Sequence, residues 1–537
     1  MTALASSLIR PPDPAVLSQF APEVALVAAS AAVLLHGVAA RTVHRLTPLL
    51  IALAGLAAAA GLAAAGTPAD APLWGGWLVS DAMSLYARAA VYAAGAGTVL
   101  LALLGGFHRR PDAGSAEFSV LLLGASLGLG LMCSAEHLLM MYLALEMAGL
   151  PGYVLVGFRR TGKASAEAAI KFVVYGSAAS AVMLYGLSLL YGLSGSLLLP
   201  DAAAAIARPA EGTASLAAAG VIAVVVGLAF KASAVPFHFW TPDVFEGASA
   251  EVGAFLSTAA KAGAFALLLR FGLAVAGAVP GGMPTGAGAV VLADGLAVAA
   301  AAGMLLGALA AFTQTNLKRL LAYSVVSHSG FLLMGLAALT LPTADGPPAV
   351  TGAESVLAYA AVNVLMNLGA FGVVVLVRRA TGSEDLDAFR GLGRTMPVTA
   401  VSMTVFLLSL TGLPPLAGFF AKFGLFAALF ASAHPEPGTW DVLRIAVIAA
   451  GVLATVLSLF VYARIIRVMW AAEPPDDRPD LRETLAAKAF CAAVAVPLVA
   501  AAVFWGPFAE LTRAAAAGTH LPRAAPPAPT AEADHAR

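Results

Sequence analysis

Four ionisable side chains lie deep inside apolar stretches of this sequence, where a charge is costly: Glu146, Lys231, Lys261 and Lys422. At about 1.5 Å of rise per helical residue, Glu146 and Lys261 fall roughly 15 Å into their stretches, near the middle of a membrane about 30 Å thick. A contact between a glutamate and a lysine favours the charged forms of both groups. Making and breaking such a contact would switch a lysine between holding and releasing a proton, so these residues are candidates for a proton relay.

Three further basic residues accompany this group, and each allows a second interpretation. His238 and His328 could pass protons between the lysines, because imidazole both accepts and donates. His238 could instead hydrogen-bond backbone carbonyls, and His328 could be a hydrogen-bonded core histidine. Lys171 lies nearer the end of its apolar stretch, where a long basic side chain can extend to the membrane surface. A structural role is harder to support for the deep lysines, since they have no short route to water.

Proline interrupts two of the apolar stretches close to these lysines. The run KASAVPFHFWTPDVFEG contains Pro236, and the run TGLPPLAGFFAKF contains Pro414 and Pro415. The stretches that hold them, 214–245 and 396–432, are both too long for one membrane crossing. Inside a membrane, a proline frees backbone groups that only protein or water can satisfy. We therefore predict two discontinuous helices that line a hydrated cavity beside the lysines.

The composition of the chain is that of a polytopic membrane protein. Of its 537 residues, 60% are hydrophobic and 11% are charged, and the mean hydropathy is +0.88. A soluble domain carries about 25% charged residues. Lysine plus arginine and aspartate plus glutamate number 30 each, so net charge does not indicate a nucleic-acid partner. Cys133 and Cys491 lie in separate apolar runs without metal-site spacing, and no nucleotide-binding loop, haem motif or iron–sulfur motif is present, so we expect no bound cofactor.

The positions of the apolar stretches predict an all-α fold with about fourteen transmembrane helices. The first stretch begins near Glu23 without a strongly basic lead, which favours a retained span over a cleaved signal. Arginine and lysine concentrate in the connections that follow odd-numbered spans. Because cytoplasmic loops carry the excess of basic residues, we expect these connections in the cytoplasm and both termini outside.

The two interrupted stretches fall at corresponding positions of two five-helix units, which predicts two inverted repeats with one discontinuous helix each. The tail is rich in alanine, proline and charge, which predicts disorder. The predicted units are three N-terminal helices in 1–115, a first repeat in 116–277, a second repeat in 287–470, a C-terminal helix in 485–510 and a disordered tail in 511–537.

Other charged residues are predicted to have structural roles. Arg88 and Arg270 lie inside apolar runs, and could be helix-end anchors or partners of acids that the sequence does not identify. Asp243, Glu246 and Glu251 follow the first proline break, and we expect them to form a solvated cytoplasmic face.

Five motifs resemble, in order, those of the proton-translocating antiporter-like subunits of respiratory complex I. The motifs are ALEMAGLPGYVLVGF, GLAFKASAVPFHFWTPDVFEGA, STAAKAGAFALLLR, TNLKRLLAYSVVSHSGFLLMG and SLTGLPPLAGFFAKF. The resemblance covers about 115–470. The wording FHFWTPDVFEG, the lysine at Lys422 and the short chain after the last span resemble the N-type subunits more than the L-type or M-type subunits.

This resemblance implies roles for the candidate residues. Glu146 on the fifth helix and Lys231 on the seventh would be an interacting pair, and Lys261 on the eighth would connect them to the second half. Lys422 would exchange the proton with the outer half-channel. His238 and His328 would bridge the lysines, and Lys171 resembles an additional functional lysine. The chain departs from the family in ASAEVGAF, residues 248–255, where the family usually has prolines before the eighth helix.

The resemblance also implies partners and a location. The chain would be a membrane subunit of a proton-translocating NADH–quinone oxidoreductase in the cell inner (plasma) membrane. NADH and quinone would be used by other subunits, and this chain would bind no cofactor and carry no redox centre. Its partners would be the other membrane subunits, including antiporter-like subunits and the lateral helix of the L-type subunit.

Three alternatives remain at this point. A cation/proton antiporter subunit of the Mrp type shares the same pattern. A secondary transporter of a solute would also use broken helices, but several lysines without a matching polar pocket argue against it. A structural membrane scaffold would tolerate replacement of Lys422 by leucine.

Overall fold

The computed structural model describes residues 14–39, 45–69, 72–109, 114–159, 162–278, 287–339, 351–433, 441–474 and 481–519. In these ranges the chain is helical, and β pairing is limited to isolated bridges between loop residues. The predicted all-α fold is therefore confirmed.

Thirteen of the described helices are long and apolar enough to cross a membrane, and two shorter apolar helices lie in tandem between the eleventh and twelfth of them. Counted as one interrupted span, that pair brings the total to the predicted fourteen. The helices, numbered by span, are α1 (Ala21–Ala39), α2 (Thr47–Ala65), α3 (Ala82–Leu104), α4 (Ser115–Ser134), α5 (Leu138–Val156), α6 (Lys163–Ser194), α7a (Ala214–Ala232), α7b (Trp240–Gly247), α8a (Ala250–Ser257), α8b (Ala259–Gly277), α9 (Ala287–Ala311), α10 (Leu317–Ala337), α11 (Gly352–Thr381), α12a (Pro397–Thr411), α12b (Ala417–Ser432), α13 (Val442–Trp470) and α14 (Leu485–Val503).

Three spans form the centre of the bundle. In their most apolar stretches, 100% of the residues of α8, 94% of α10 and 83% of α11 are buried, whereas the values for α1 and α14 are 28%. A helix that is apolar all round belongs in the interior, and a helix with a free apolar face belongs against lipid. Small residues let the inner helices approach closely: a Cβ atom on Gly330 of α10 would lie 2.6 Å from the Met304 nitrogen of α9.

Both predicted breaks are present. The seventh span is interrupted between Ala232 and Trp240, and the twelfth is interrupted between Thr411 and Ala417. Each first half ends at a residue in the left-handed conformation, Ser233 with φ 56° and Gly412 with φ 86°. These residues end the helical geometry, so the final carbonyls of each first half have no partner further along the helix.

A third break was not predicted. The eighth span bends at Thr258, whose φ of −115° and ψ of −83° separate α8a from α8b. The Thr258 hydroxyl donates to the Ala254 carbonyl at 2.6 Å. Serine and threonine that bond back to the preceding turn bend helices, and the sequence offers no proline or glycine here to reveal the bend. The bend lies three residues before Lys261.

The prediction of disorder from residue 511 is wrong for residues 511–517. A helix runs from Trp505 to Ala517, and Arg513 forms an ion pair with Glu354 of α11 at 3.4 Å. The alanine content that indicated disorder is equally typical of helix, and the ion pair fixes this helix to the bundle. Residues 520–537 of the predicted tail lie outside the described residues. The repeat boundaries stay a prediction.

Candidate functional site

The break in the seventh span is held by side chains from three helices. Each of the last three carbonyls of α7a accepts a hydrogen bond from a different side chain, and Phe230 O also accepts from the Ser233 N–H, which satisfies the requirement of backbone at membrane depth. The pairs are Trp240 Nε1 to Phe230 O (3.1 Å), Lys261 Nζ to Lys231 O (3.2 Å) and Ser329 Oγ to Ala232 O (2.6 Å). The break therefore joins α7, α8 and α10 at one point.

Lys261 lies in the centre of this junction. Its side chain is buried, and its ammonium group donates to the Ser233 hydroxyl and to the Lys231 carbonyl. The ring of Trp240 lies 5.3 Å from Nζ, a distance at which a cation is attracted to an aromatic face. Ser233 in turn accepts from the Thr241 hydroxyl at 2.8 Å. Within the described part of the chain, the Lys261 ammonium thus bonds neutral groups.

Lys231 and Glu146 do not form the direct pair that the resemblance implies. Lys231 is buried, and Glu146 on α5, half-buried, accepts a hydrogen bond from Ser180 of α6. Between these two described side chains the structure contains no ion pair. Glu146 is nevertheless the acid whose charge acts on Lys231. The direct contact between the two side chains is therefore absent in this structure.

Lys422 repeats the arrangement of Lys261 at the second break. Its ammonium group donates to the carbonyls of Leu410 at 3.1 Å and Thr411 at 3.0 Å, at the end of α12a. The Phe331 ring centroid lies 4.2 Å from Nζ. In both halves a buried lysine binds the last carbonyls of a broken helix and lies beside an aromatic ring. The same arrangement of a lysine, helix-end carbonyls and an aromatic ring therefore occurs at both breaks.

His328 lies close to Lys422 and is held on both sides. Its Nδ1 is 2.5 Å from the Tyr359 hydroxyl of α11, and its Nε2 is 3.3 Å from the Tyr462 hydroxyl of α13. Lys422 is the cation whose charge acts on the imidazole. The sequence analysis identified neither tyrosine as a site residue, because an aromatic residue in an apolar run is common. For Tyr359 a signal existed: polar residues recur at every fourth position around it.

His238 and Lys171 are not brought into contact with the central lysines. His238 is buried in the first break, next to the Pro236 backbone, and its Nδ1 has no hydrogen-bond partner in the part of the chain that the structure describes. The Lys171 side chain is 37% exposed and pairs with Glu167 and Asp243, each at 2.7 Å. This position favours the alternative in which Lys171 extends to the membrane surface.

A further buried lysine, which the sequence analysis did not consider as a site residue, stabilises the turn after the first break through hydrogen bonds. Lys318 is the second residue of α10, and it donates to the carbonyls of Glu246 at 2.9 Å and Ala248 at 2.6 Å. It also pairs with Glu384 at 2.7 Å, which pairs with Arg378 at 3.0 Å. The connection between α7b and α8a is thereby fixed to α10 and to the end of α11.

Of the solvated cytoplasmic face predicted for three acids, the solvent exposure is confirmed for two residues and wrong for one, and the cytoplasmic side stays a prediction. Asp243 is half-buried and Glu246 exposed, and both bind Arg319. Glu251 is 1% exposed and lies 3.8 Å from Arg378. A carboxylate so deeply buried needs a cation, and that cation comes from α11, far away in the sequence.

The acids that pair with the two buried arginines are Glu23 and Asp81. Arg88 lies 3.2 Å from Glu23, which also accepts from the Tyr92 hydroxyl at 2.7 Å. Arg270 forms two hydrogen bonds of 2.9 Å with the Asp81 carboxylate. The second pair connects α8b to the start of α3, so the N-terminal helices are joined to the central helix by a buried charge pair.

Replacing Asp81 by alanine is expected to destabilise the protein by about 3–5 kcal/mol, because it leaves the buried Arg270 guanidinium without its partner. The measurement is the apparent melting temperature of the detergent-solubilised protein, together with the amount of the chain in the membrane. Asp387→Ala is the matched control, since Asp387 is exposed. Equal melting temperatures for both variants would contradict the assigned role of the pair.

The fold and the site define a class: a membrane protein with fourteen spans, in which two interrupted helices carry buried lysines beside their breaks. The family model described as NADH:quinone oxidoreductase/Mrp antiporter, TM, matches residues 135–451, more than half of the chain. The chain belongs to this family, and the resemblance inferred from its motifs is confirmed.

Two relatives match nearly the whole chain. NADH-quinone oxidoreductase subunit N of Anaeromyxobacter sp. (strain Fw109-5) is 40% identical over 481 residues, covering 86% of this chain and 89% of the relative. NADH-quinone oxidoreductase subunit N 2 of Sorangium cellulosum (strain So ce56) is 39% identical over 510 residues, covering 91% and 95%. The similarity to N-type subunits predicted from the FHFWTPDVFEG wording is therefore confirmed.

Two solved structures share the fold. A chain of respiratory complex I from Thermus thermophilus with bound Aureothin is 31% identical, with a TM-score of 0.72 over 93% of this chain and 100% of that chain. A chain of the Mrp complex from Dietzia sp. DQ12-45-1b is 21% identical, with a TM-score of 0.76 over 94% and 97%. The second likeness concerns the fold alone, so the Mrp alternative fits less well.

Proposed function

We propose that this chain is a proton-translocating membrane subunit of an NADH–quinone oxidoreductase, and that protons pass through its row of buried basic residues. The observation that carries the proposal is the duplicated junction, in which Lys261 and Lys422 each bind the last carbonyls of an interrupted helix. Lysines buried in this way are costly unless they serve a pathway.

The contacts support a route for the proton. Lys231 and Lys261 act on each other electrostatically, so a proton on one ammonium group disfavours a proton on the other. If Glu146 moved into contact with Lys231, it would hold the proton there, and withdrawal of Glu146 would favour transfer towards Lys261. His328 lies beyond this junction, adjacent in the chain to Ser329, and Lys422 lies beyond His328.

The chain is proposed to act without a redox centre or bound cofactor of its own. Oxidation of NADH and reduction of quinone would occur in other subunits, and a displacement of charge along the lysines would couple them to proton movement. The proposed partners are the other membrane subunits, including antiporter-like subunits and the lateral helix of an L-type subunit. The proposed location is the plasma membrane, with both termini outside, as the distribution of basic residues favours.

Replacing Lys231 or Glu146 by alanine is expected to reduce NADH-driven proton uptake and quinone reductase turnover of the intact complex. Loss of a positioned proton-transfer group slows the step on the order of 100-fold. The measurement is dye-detected acidification in liposomes that contain the complex. The controls are Lys163→Ala and Glu211→Ala, because both side chains are exposed. Wild-type pumping and turnover in both test variants would exclude the proposed route.

A further inference from the structure

One face of α11 carries polar residues at every fourth position: Ser355, Tyr359, Asn363 and Asn367. Residues spaced by four lie above one another on a helix, and all four are at most 4% exposed. Asn367 donates to the Asn363 side chain at 2.8 Å. Among the described residues, Ser355 Oγ and Asn367 Oδ1 have no hydrogen-bond partner. Polar groups buried at membrane depth are costly, so we expect this row of four residues, here called the stripe, to have a function.

The stripe meets the candidate site at Tyr359. From the Tyr359 hydroxyl, a series of polar atoms continues through both nitrogens of His328 to the Tyr462 hydroxyl. It ends at the Ser324 hydroxyl, 2.5 Å from that of Tyr462. Four side chains from α10, α11 and α13 therefore form one connected series. Every member can both donate and accept a hydrogen bond.

This series extends across the middle of the membrane. Ser324 lies seven residues after the start of α10, and Tyr359 lies seven residues after the start of α11, each roughly 10 Å along its helix axis. The two helices run in opposite directions, since Gly352 at the start of α11 packs against the Gly335 carbonyl near the end of α10. Ser324 and Tyr359 are thus nearest to opposite membrane faces, with His328 between them.

We propose that Tyr462 and Tyr359 are proton-relay residues, which deliver protons to His328 from the Ser324 side and remove them towards Ser355. Tyr462 gives its hydroxyl proton to Nε2 and is reprotonated from the Ser324 side. In the same step the proton on Nδ1 moves to the Tyr359 hydroxyl, which passes its own proton onward. One proton enters and one leaves, and no electron is transferred. This inference rests on the proposed function.

Lys422 is in a position to control the relay. Its ammonium group lies 4.2 Å from the Phe331 ring, whose centroid is 6.1 Å from that of His328, and a charged ammonium group nearby disfavours a second positive charge on the imidazole. A proton arriving at Nε2 would then leave from Nδ1 at once, instead of resting on the ring. When Lys422 is neutral, the ring can hold the proton. The state of Lys422 would thereby decide whether the relay conducts or stores a proton.

The test replaces each tyrosine by phenylalanine in the intact complex, which removes only the hydroxyl. For Tyr359→Phe and for Tyr462→Phe we expect NADH-driven proton uptake to slow about 10-fold, less than the roughly 100-fold cost of a lost transfer group, because water can partly replace the hydroxyl. The control is Tyr323→Phe on the same helix as His328, since Tyr323 is half-buried and its hydroxyl makes no hydrogen bond to the described residues. Normal uptake in both test variants would overturn the proposal.

A double substitution separates a relay from a structural role. If the residues act in series, adding Tyr359→Phe to His328→Ala slows uptake no further than His328→Ala alone. If Tyr359 only supports packing, the two losses multiply, which overturns the relay.

Lys231→Ala tests the underlying function separately: normal proton uptake in this variant refutes the proposed function. Loss of uptake in Lys231→Ala with normal uptake in the tyrosine variants refutes the relay alone.

Discussion

Lys261→Met is expected to stop NADH-driven proton uptake and to loosen the break in the seventh span. The change removes the only ammonium group that bonds the Lys231 carbonyl in the described structure, and it removes a hydrogen bond to Ser233. A buried acceptor left without its donor costs about 1–3 kcal/mol. The proposed row of basic residues would also lose Lys261, which connects the first half of the proton route to the second. Proton uptake in liposomes and the apparent melting temperature report the two effects separately.

Lys261→Gln separates the charge from the hydrogen bonds. The glutamine amide can still donate to a carbonyl but carries no proton at neutral pH that it could pass on. We expect a melting temperature nearer to that of the wild type, and proton uptake as low as in Lys261→Met. Lys163→Met is the control for the loss of a lysine, because Lys163 is exposed. Uptake by Lys261→Gln at the wild-type rate would show that Lys261 acts only as a structural donor.

The features that the sequence predicts correctly are those with a local signature. A lysine such as Lys231 or Lys422 is conspicuous in an apolar run because burying its charge is costly. Pro236 and Pro414 are conspicuous because proline cannot continue a helix hydrogen-bond ladder. The residue types alone therefore locate the two breaks at prolines and the deep lysines.

The features that the sequence does not reveal depend on contacts between distant segments. Arg270 is separated from Asp81 by 189 positions, and no local pattern indicates which acid it binds. Glu251 resembled a surface acid because Asp243 and Glu246 precede it after the first proline break, and only the packing of α11 supplies Arg378. Thr258 bends its helix through a hydroxyl bond that any threonine could make. In each case the partner is chosen by tertiary packing, which the sequence encodes only in the fold as a whole.

The two junctions explain how a broken helix can be stable and still serve a pathway. Each first half-helix ends with carbonyls that would be costly if unpaired in a membrane, and a lysine from another segment binds them. A lysine that changes its protonation state also changes how strongly it holds those carbonyls, since charged donors make stronger hydrogen bonds. Under the proposed function, proton movement and the geometry of the break would be linked through the same side chain.

Lys422→Gln is the second substitution for which we expect a large loss of proton uptake. Lys422 donates to both Leu410 and Thr411, so the amide of glutamine can keep part of this bonding while the charge is lost. We expect proton uptake about 100-fold slower than in the wild type, as for the loss of a positioned transfer group, with a melting temperature close to that of the wild type. Lys422→Met should lose both properties, because it leaves the two carbonyls unpaired at a cost of about 1–3 kcal/mol each.

Lys422→Arg tests whether a permanent positive charge is sufficient. Arginine does not release its proton in proteins, and its planar head is larger than an ammonium group. The Lys422 side chain is closely packed: a Cβ atom on Gly412 would lie 3.2 Å from the Lys422 Cδ. We therefore expect Lys422→Arg to keep the charge beside His328 yet fail to pump. Uptake by this variant at the wild-type rate would mean that Lys422 supplies only an electrostatic field, and that the proton reaches the outer side without passing through it.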